Sequence, residues 1–205
     1  MPFITFEGVE GCGKSTQLRL LDERLRAAGR DVRATREPGG TPLGERLRAI
    51  LLDPAQRLDP LAEFLLFEAD RRQHIHEVIR PGLEAGAWIL CDRFSDSTEA
   101  YQAAGRGLDA EWIEAVDARV RDGLAPDLTL LFDVSPLEGL ARARRRDGKQ
   151  GRFESEELAF HERVWAAFHA IARREPDRVV VVPAQGDAES VFARTSRIVA
   201  ERFGS

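Results

Sequence analysis

Apolar residues along the chain follow two alternating periods. Strand-like runs occur at 3–6, 31–35, 87–91, 128–134 and 178–182, the first with the length and composition of a buried strand. Between them the period lengthens. After Lys14, Leu18, Leu21, Leu25 and Ala28 recur at spacings of 3, 4 and 3, one buried helix face that Gly29 is placed to end. Further helices are expected near 43–52, 60–81, 109–122, 136–146, 154–174 and 187–203. The helix over 154–174 shows a stripe of Leu158, His161, Trp165, Phe168 and Ala172, and the last helix one of Val191, Thr195, Ile198 and Val199. Strands that alternate with helices imply a mainly parallel sheet covered on both faces. Ligands of such sheets bind beyond the carboxyl ends of the strands, so the loops there carry the candidate chemistry.

The first of these loops reads GVEGCGKS over residues 8–15. Glycines at 8, 11 and 13 let the backbone turn tightly and aim N–H groups at phosphate oxygens. Lys14 adds a point charge for the terminal phosphates, and Ser15 offers a hydroxyl to Mg²⁺. The helix that follows lends its positive end to the same anion. Asp92 and Arg93 end the third strand, where a P-loop enzyme needs a carboxylate to orient Mg²⁺ or its waters. Asp133, at the end of the fourth, could equally cap a turn and is left unassigned. The most basic segment, 142–152, passes from an arginine-bearing helix into a glycine-containing loop, the composition of a mobile lid over about 142–153. Arg142, Arg145 and Arg146 share one side of that helix and Arg144 the other, so not all can reach one phosphate. Phe67 and Arg71, four apart with Phe64 three before, share one helix face; an aromatic beside an arginine can stack a base and bond its edge, or form ordinary core and surface.

Composition narrows the class. With 205 residues, 43% hydrophobic and 32% charged, the chain suits one soluble α/β domain spanning 1–205. A net charge of −5 argues against broad nucleic-acid binding. No apolar stretch approaches the ~20 residues of a membrane span, so a cytoplasmic protein is expected. Two cysteines, Cys12 and Cys91, make neither a disulfide framework nor a metal-ligand spacing. A GTP-binding switch would need an Asp-x-x-Gly element and an Asn/Thr-Lys-x-Asp motif, and neither occurs.

Several blocks together resemble the bacterial thymidylate kinases: FEGVEGCGKST over 6–16, TREPGGT over 35–41, LFEADR over 66–71 and DRFSDSTEAYQ over 92–102. The resemblance implies a three-layer α/β/α P-loop fold of the nucleoside monophosphate kinase type, with a five-stranded parallel sheet. It implies transfer of a phosphoryl group from ATP to dTMP with Mg²⁺, in a homodimer. Lys14, Glu10, Arg93 and the lid arginines Arg142 and Arg146 would be catalytic. Gly8, Val9, Glu10, Gly11, Cys12, Gly13, Lys14, Ser15 and Thr16 would hold ATP, and Ser15 and Asp92 the metal. Arg48 and Arg93 would hold the dTMP phosphate, Glu7 would lie by the deoxyribose, Phe67 would stack on thymine and Arg71 bond its edge. Tyr101 would close the pocket to a ribose 2′-hydroxyl and Gln102 contact the base, with Arg36, Ser97 and Thr98 completing the substrate site. Arginine is missing from the P-loop and abundant in the lid, which fits the arrangement that keeps the catalytic arginine in the lid. Another small nucleoside or nucleotide kinase on this scaffold is the alternative.

Overall fold

The computed structural model describes residues 1–147 and 151–204, with the side chains of Arg146 and Asp147 left out. Five strands, β1 (Phe3–Glu7), β2 (Val32–Arg36), β3 (Trp88–Asp92), β4 (Leu128–Asp133) and β5 (Val179–Pro183), form one parallel sheet in the order β2-β3-β1-β4-β5. Strands β1, β3 and β4 are buried along nearly their whole length, as their unbroken apolar runs require. The expected strands are all present, each bound within a residue of its predicted limit.

Helices cover both faces: α1 (Lys14–Ala27), α2 (Pro42–Leu51), α3 (Pro60–His74), α4 (Arg80–Glu84), α5 (Ser95–Thr98), α6 (Ala110–Arg121), α7 (Pro136–Asp147), α8 (Leu158–Arg174) and α9 (Ala188–Phe203). Their starts are chemically marked. Thr41, Asp59, Asp109 and Asp187 cap α2, α3, α6 and α9 by accepting backbone N–H bonds, each worth about 1 kcal/mol. Helix α1 differs: its cap is Gly13 at φ +99°, with no side-chain acceptor, so the first N–H groups are left for an anion.

Four expectations need correction. The helix expected over 60–81 runs on to Glu84, through a π-helical turn at Ile75–Ile79. A helix not foreseen follows Asp92-Arg93: α5 continues as a π-helical segment, Glu99–Gly105. Helix α8 begins at Leu158, four residues later than expected, and buries Phe160, His161, Val164, Phe168 and Ile171 rather than the stripe through Trp165 and Ala172. The cause is the unforeseen segment: α8 packs on Glu99–Gly105, where Tyr101 meets Phe160 and Phe168 edge-on, which rotates its buried face. Ala28, expected inside, is exposed beyond the end of α1.

Candidate active site

A cavity of about 360 Å³ opens at the carboxyl ends of β1, β2 and β3. One wall is the P-loop, through Glu10, Gly11, Lys14 and Ser15; the opposite end holds Phe67, Arg71 and Gln102; Gly151, Arg152, Phe153 and Glu154 close it from above. The two glycines at the P-loop's closest approaches have no room for a side chain. A Cβ on Gly8 (φ +135°) would sit 2.5 Å from the Phe132 carbonyl oxygen. One on Gly11 (φ +69°) would sit 2.0 Å from that of Gly139 in α7. Lys14 is buried and folds over its own loop, donating to the carbonyls of Gly8 (2.9 Å) and Val9 (3.0 Å), with Cys12 Sγ 3.4 Å away. Val9 and Cys12 belong to the core beneath the loop, and Thr16 faces outward on α1.

At the end of β3, Asp92 Oδ2 accepts the Ser15 hydroxyl at 2.7 Å, so the two oxygen groups expected around a divalent cation already face one another. Arg93 stands at φ +73°, a conformation a non-glycine residue rarely holds and one that clusters at functional sites. From there its guanidinium lies 4.9 Å over the Tyr101 ring and donates to Ser97 Oγ (3.0 Å), Tyr101 Oη (3.1 Å) and Glu10 Oε1 (3.2 Å). The Tyr101 hydroxyl donates to the same Glu10 oxygen at 2.6 Å. Burial pushes the Glu10 carboxyl up, but His161, Arg93, Lys14 and Tyr101 outweigh it and hold it down at about 2. Glu10 is therefore a fixed anion that aims Arg93, not a proton carrier. Glu7 has the opposite fate. Burial, reinforced by the charge of Asp96, pushes it up to about 8, and its oxygens accept the Phe94 N–H (2.7 Å) and the Ser97 hydroxyl (2.6 Å) beneath the cavity floor.

The TREPGGT loop is braced from below by charges. Glu37 accepts from Arg71 Nε at 2.9 Å and meets His74 Nδ1 at 3.0 Å, while Asp70 takes the Gly39 N–H. Arg71 is almost fully buried; its Nη1 also donates to Glu68 (2.6 Å), Asp117 (2.7 Å) and Thr98 Oγ1 (2.9 Å). Nε and Nη1 are thus committed, and Nη2 remains for a ligand at the cavity wall. Gln102 Nε2 donates to Glu63 Oε1 at 2.9 Å, and Glu63, fully buried, also receives Arg106 and Arg152. Phe67 is half-buried, its ring 6.3 Å from that of Phe153. Arg48 lines the cavity and donates to the Pro38 carbonyl at 2.8 Å.

Of the candidates, the structure brings Glu10, Gly11, Lys14, Ser15, Arg48, Phe67, Arg71, Asp92, Arg93, Ser97, Thr98, Tyr101 and Gln102 to one cavity. Three charged candidates lie elsewhere. Glu7 is below it; Arg36 is exposed and pairs with Glu45; Arg142 is held by Glu138 and the Ala184 carbonyl on the far side of α7. The Arg146 side chain lies outside the described residues, as do residues 148–150 of the expected lid. Arg152, also within the expected lid segment, lines the cavity: buried in its roof, it donates to Glu63 and the Leu51 carbonyl. Its sequence signal was its place just past Gly148 and Gly151. Glu37 and Glu63 were not foreseen either; a charged residue inside an apolar helix face, as Glu63 is beside Phe64 and four before Phe67, is the mark that could have found it. Asp133, left open, anchors α8 by accepting from Trp165 Nε1 at 2.8 Å.

A phosphate-cradling loop, a strand-end Asp-Arg pair and a roof arginine over a doubly covered parallel sheet define a P-loop phosphotransferase of the nucleoside monophosphate kinase type. Comparison with known proteins narrows this. The sequence profile of the family described as Thymidylate kinase matches residues 6–194. The chain is 53% identical over 203 residues to a thymidylate kinase of Caulobacter vibrioides, covering 98% of this chain and 97% of that protein. It is 50% identical to one of Deinococcus radiodurans, with the same coverage. The solved thymidylate kinase of Ehrlichia chaffeensis superposes with a TM-score of 0.80 at 37% identity, over 97% of each chain. The chain belongs to the thymidylate kinase family, phosphotransferases that convert dTMP to dTDP with ATP as donor. The expected fold and reaction are both met. No helix among the described residues is long and apolar enough to cross a membrane.

Proposed function

We propose that this single domain performs the reaction at the cavity described, with the P-loop receiving ATP, the Phe67 end receiving thymine, and the segment 142–153 acting as a lid whose working arginine is Arg152. The observation that carries the assignment is the convergence of Lys14, Arg93 and Arg152 on one cavity whose far end is an aromatic flanked by an arginine and an amide. The acceptor phosphate of dTMP bears close to two negative charges at neutral pH, so no general base is needed. The task is electrostatic: two anions must be brought into line and the charge on the transferred group offset. Arg48 and Arg93 hold the acceptor phosphate, and Glu10 and Tyr101 keep Arg93 aimed at it. Loop N–H groups and Lys14 hold the donor, and Arg152 covers the transferred group, excluding water as the lid closes.

Ser15 and Asp92 would hold Mg²⁺, which supplies charge neutralisation at the donor phosphates. An oxygen-only pair suits that ion, which takes one or two protein ligands and fills its shell with phosphates and water. Among the described residues no group of three or more His, Cys, Asp or Glu side chains could hold a metal.

The enzyme is proposed to act in the cytoplasm as a homodimer. Leu43 and Ile50 of α2, Leu61 and Leu65 of α3 and Trp112 of α6 are large apolar side chains over two-fifths exposed, on helices that pack against one another, α2 on α3 and α3 on α6. Arg152→Ala should lower kcat by about 10³-fold, within the range for arginines that cover a transferred phosphoryl group, whereas Arg142→Ala should cost less than about tenfold. ADP release with ATP, Mg²⁺ and dTMP measures both; the reverse ranking would move the lid role to Arg142.

A further inference from the structure

We infer that Glu63 is a specificity-determining residue: it fixes the direction in which Gln102 faces the cavity, and thereby makes the pocket require a ring N–H on the base. This rests on the proposal above that the Phe67 end receives the base. A side-chain amide has two different ends, and the one it presents decides what it can recognise. Glu63 removes the choice. A carboxylate only accepts hydrogen bonds, so the Gln102 atom 2.9 Å from Glu63 Oε1 must be the NH₂. Gln102 Oε1, an acceptor, is then the end left for the cavity that Gln102 lines.

Glu63 itself cannot reorient. Oε1 also receives Arg106 Nε at 3.1 Å, while Oε2 receives Arg106 Nη2 at 3.1 Å and Arg152 Nη2. It is fully buried, and two guanidiniums with one amide take up both oxygens. The cavity lining therefore includes an acceptor, Gln102 Oε1, and a donor, Arg71 Nη2, that their other partners leave for a ligand. Thymine presents the complement, N3–H next to the O4 carbonyl. Cytosine presents a bare N3 and an N4 amine, which would set acceptor against acceptor and donor against donor. Buried polar groups left facing their own kind reject a ligand far more strongly than a small change of shape does.

The change Glu63→Gln tests this, because its outcome depends on hydrogen-bond direction rather than on bulk. With its NH₂ in the place of Oε2, the introduced amide would face two guanidinium nitrogens. With its NH₂ in the place of Oε1, it faces only one guanidinium nitrogen, Arg106 Nε, together with Gln102, which must then turn its own oxygen to the introduced amine and its NH₂ to the cavity. Initial rates with ATP, Mg²⁺ and either dTMP or dCMP would be compared for the unaltered enzyme, Glu63→Gln, Gln102→Ala and the double change Glu63→Gln/Gln102→Glu, with each variant's folding followed by thermal melting. The expected result is a roughly tenfold to hundredfold fall in the dTMP-to-dCMP ratio of kcat/KM for Glu63→Gln. Gln102→Ala should also lower the ratio. The double change puts an acceptor back into the cavity and should restore preference for dTMP. A residue serving only to brace the lid would lower kcat for both substrates and leave the ratio unmoved.

If Gln102→Ala leaves the ratio unchanged, the base does not bind at this end and the underlying assignment falls. If Gln102→Ala lowers it but Glu63→Gln does not, the assignment stands and the inference about Glu63 is overturned. Should Glu63→Gln fail to fold, the double change decides: retained dTMP preference supports the inference, and its loss overturns it.

Discussion

Replacing Arg71 with methionine, which is similar in length and uncharged, removes the central cation from a buried knot of carboxylates. Its nitrogens lie 2.9 Å from Glu37, 2.6 Å from Glu68 and 2.7 Å from Asp117, and none of the four side chains exceeds 4% exposure, so solvent screens little of the interaction. Breaking a buried pair by removing one partner costs about 3–5 kcal/mol, because the other charge is left behind. Asp117 keeps a second partner in Arg121, which moderates the loss toward the lower end. For a domain of this size about 3 kcal/mol lowers Tm by roughly 6–12 °C, a large part of a total stability of about 5–15 kcal/mol. The pH dependence is the sharper test. Burial already pushes Glu68 up to about 7, with Arg71 opposing it and Asp117 and Glu37 adding to it. A carboxyl raised in the folded state binds more protons there than when unfolded. Its favourable effect is therefore complete below the ordinary value of 4.5 and fades as pH rises through about 7. Without Arg71, which opposes that rise, the Glu68 carboxyl holds its proton to still higher pH, so the variant's deficit should widen from pH 5.5 to pH 8.5. Urea unfolding followed by circular dichroism at the two pH values measures this. A loss below about 1 kcal/mol, or one equal at both pH values, would refute the account of Arg71 as the keystone of the knot.

Lys14→Ala and Arg93→Ala should each reduce kcat by several orders of magnitude in an enzyme that still folds, on the proposal that both act on charge developed in phosphoryl transfer; near-normal turnover in either would take that residue out of the mechanism. Gly139→Ala sets helix propensity against packing. Alanine favours a helix by up to about 1 kcal/mol, but its Cβ would sit 2.4 Å from the Glu10 carbonyl oxygen, and overpacking against backbone costs about 1–3 kcal/mol, so a lower Tm and a raised KM for ATP are expected, and a stabilised variant with unchanged KM would show that α7 does not press on the P-loop. Leu65→Glu, on the exposed face of α3, should give monomers in sedimentation velocity, whereas Leu137→Glu on α7, at 65% exposure, should not; dimers persisting in both would place the interface elsewhere.

The sequence by itself determined the layered parallel sheet, the phosphate loop and the strand-end pair Asp92-Arg93. These are local matters: apolar run length sets strand burial, glycine spacing sets the loop, and a strand-end position puts its charge beyond the sheet. The likeness of four short blocks to one family carried the reaction. What only the tertiary structure decided is which charges face one another. Glu10 and Arg93 are 83 residues apart, Arg71 and Asp117 46, and Glu63 and Arg152 89; no periodicity links such positions. The same holds for the basic segment. Helical spacing grouped Arg142 with Arg145 and Arg146, but the nearby carbonyl of Ala184 draws Arg142 away, and Arg152 reaches the cavity because Glu63 waits for it in the core. Burying a charge is costly unless a partner meets it, so the position of each site charge is settled by its partner's place in the fold, and chain neighbours do not reveal that place.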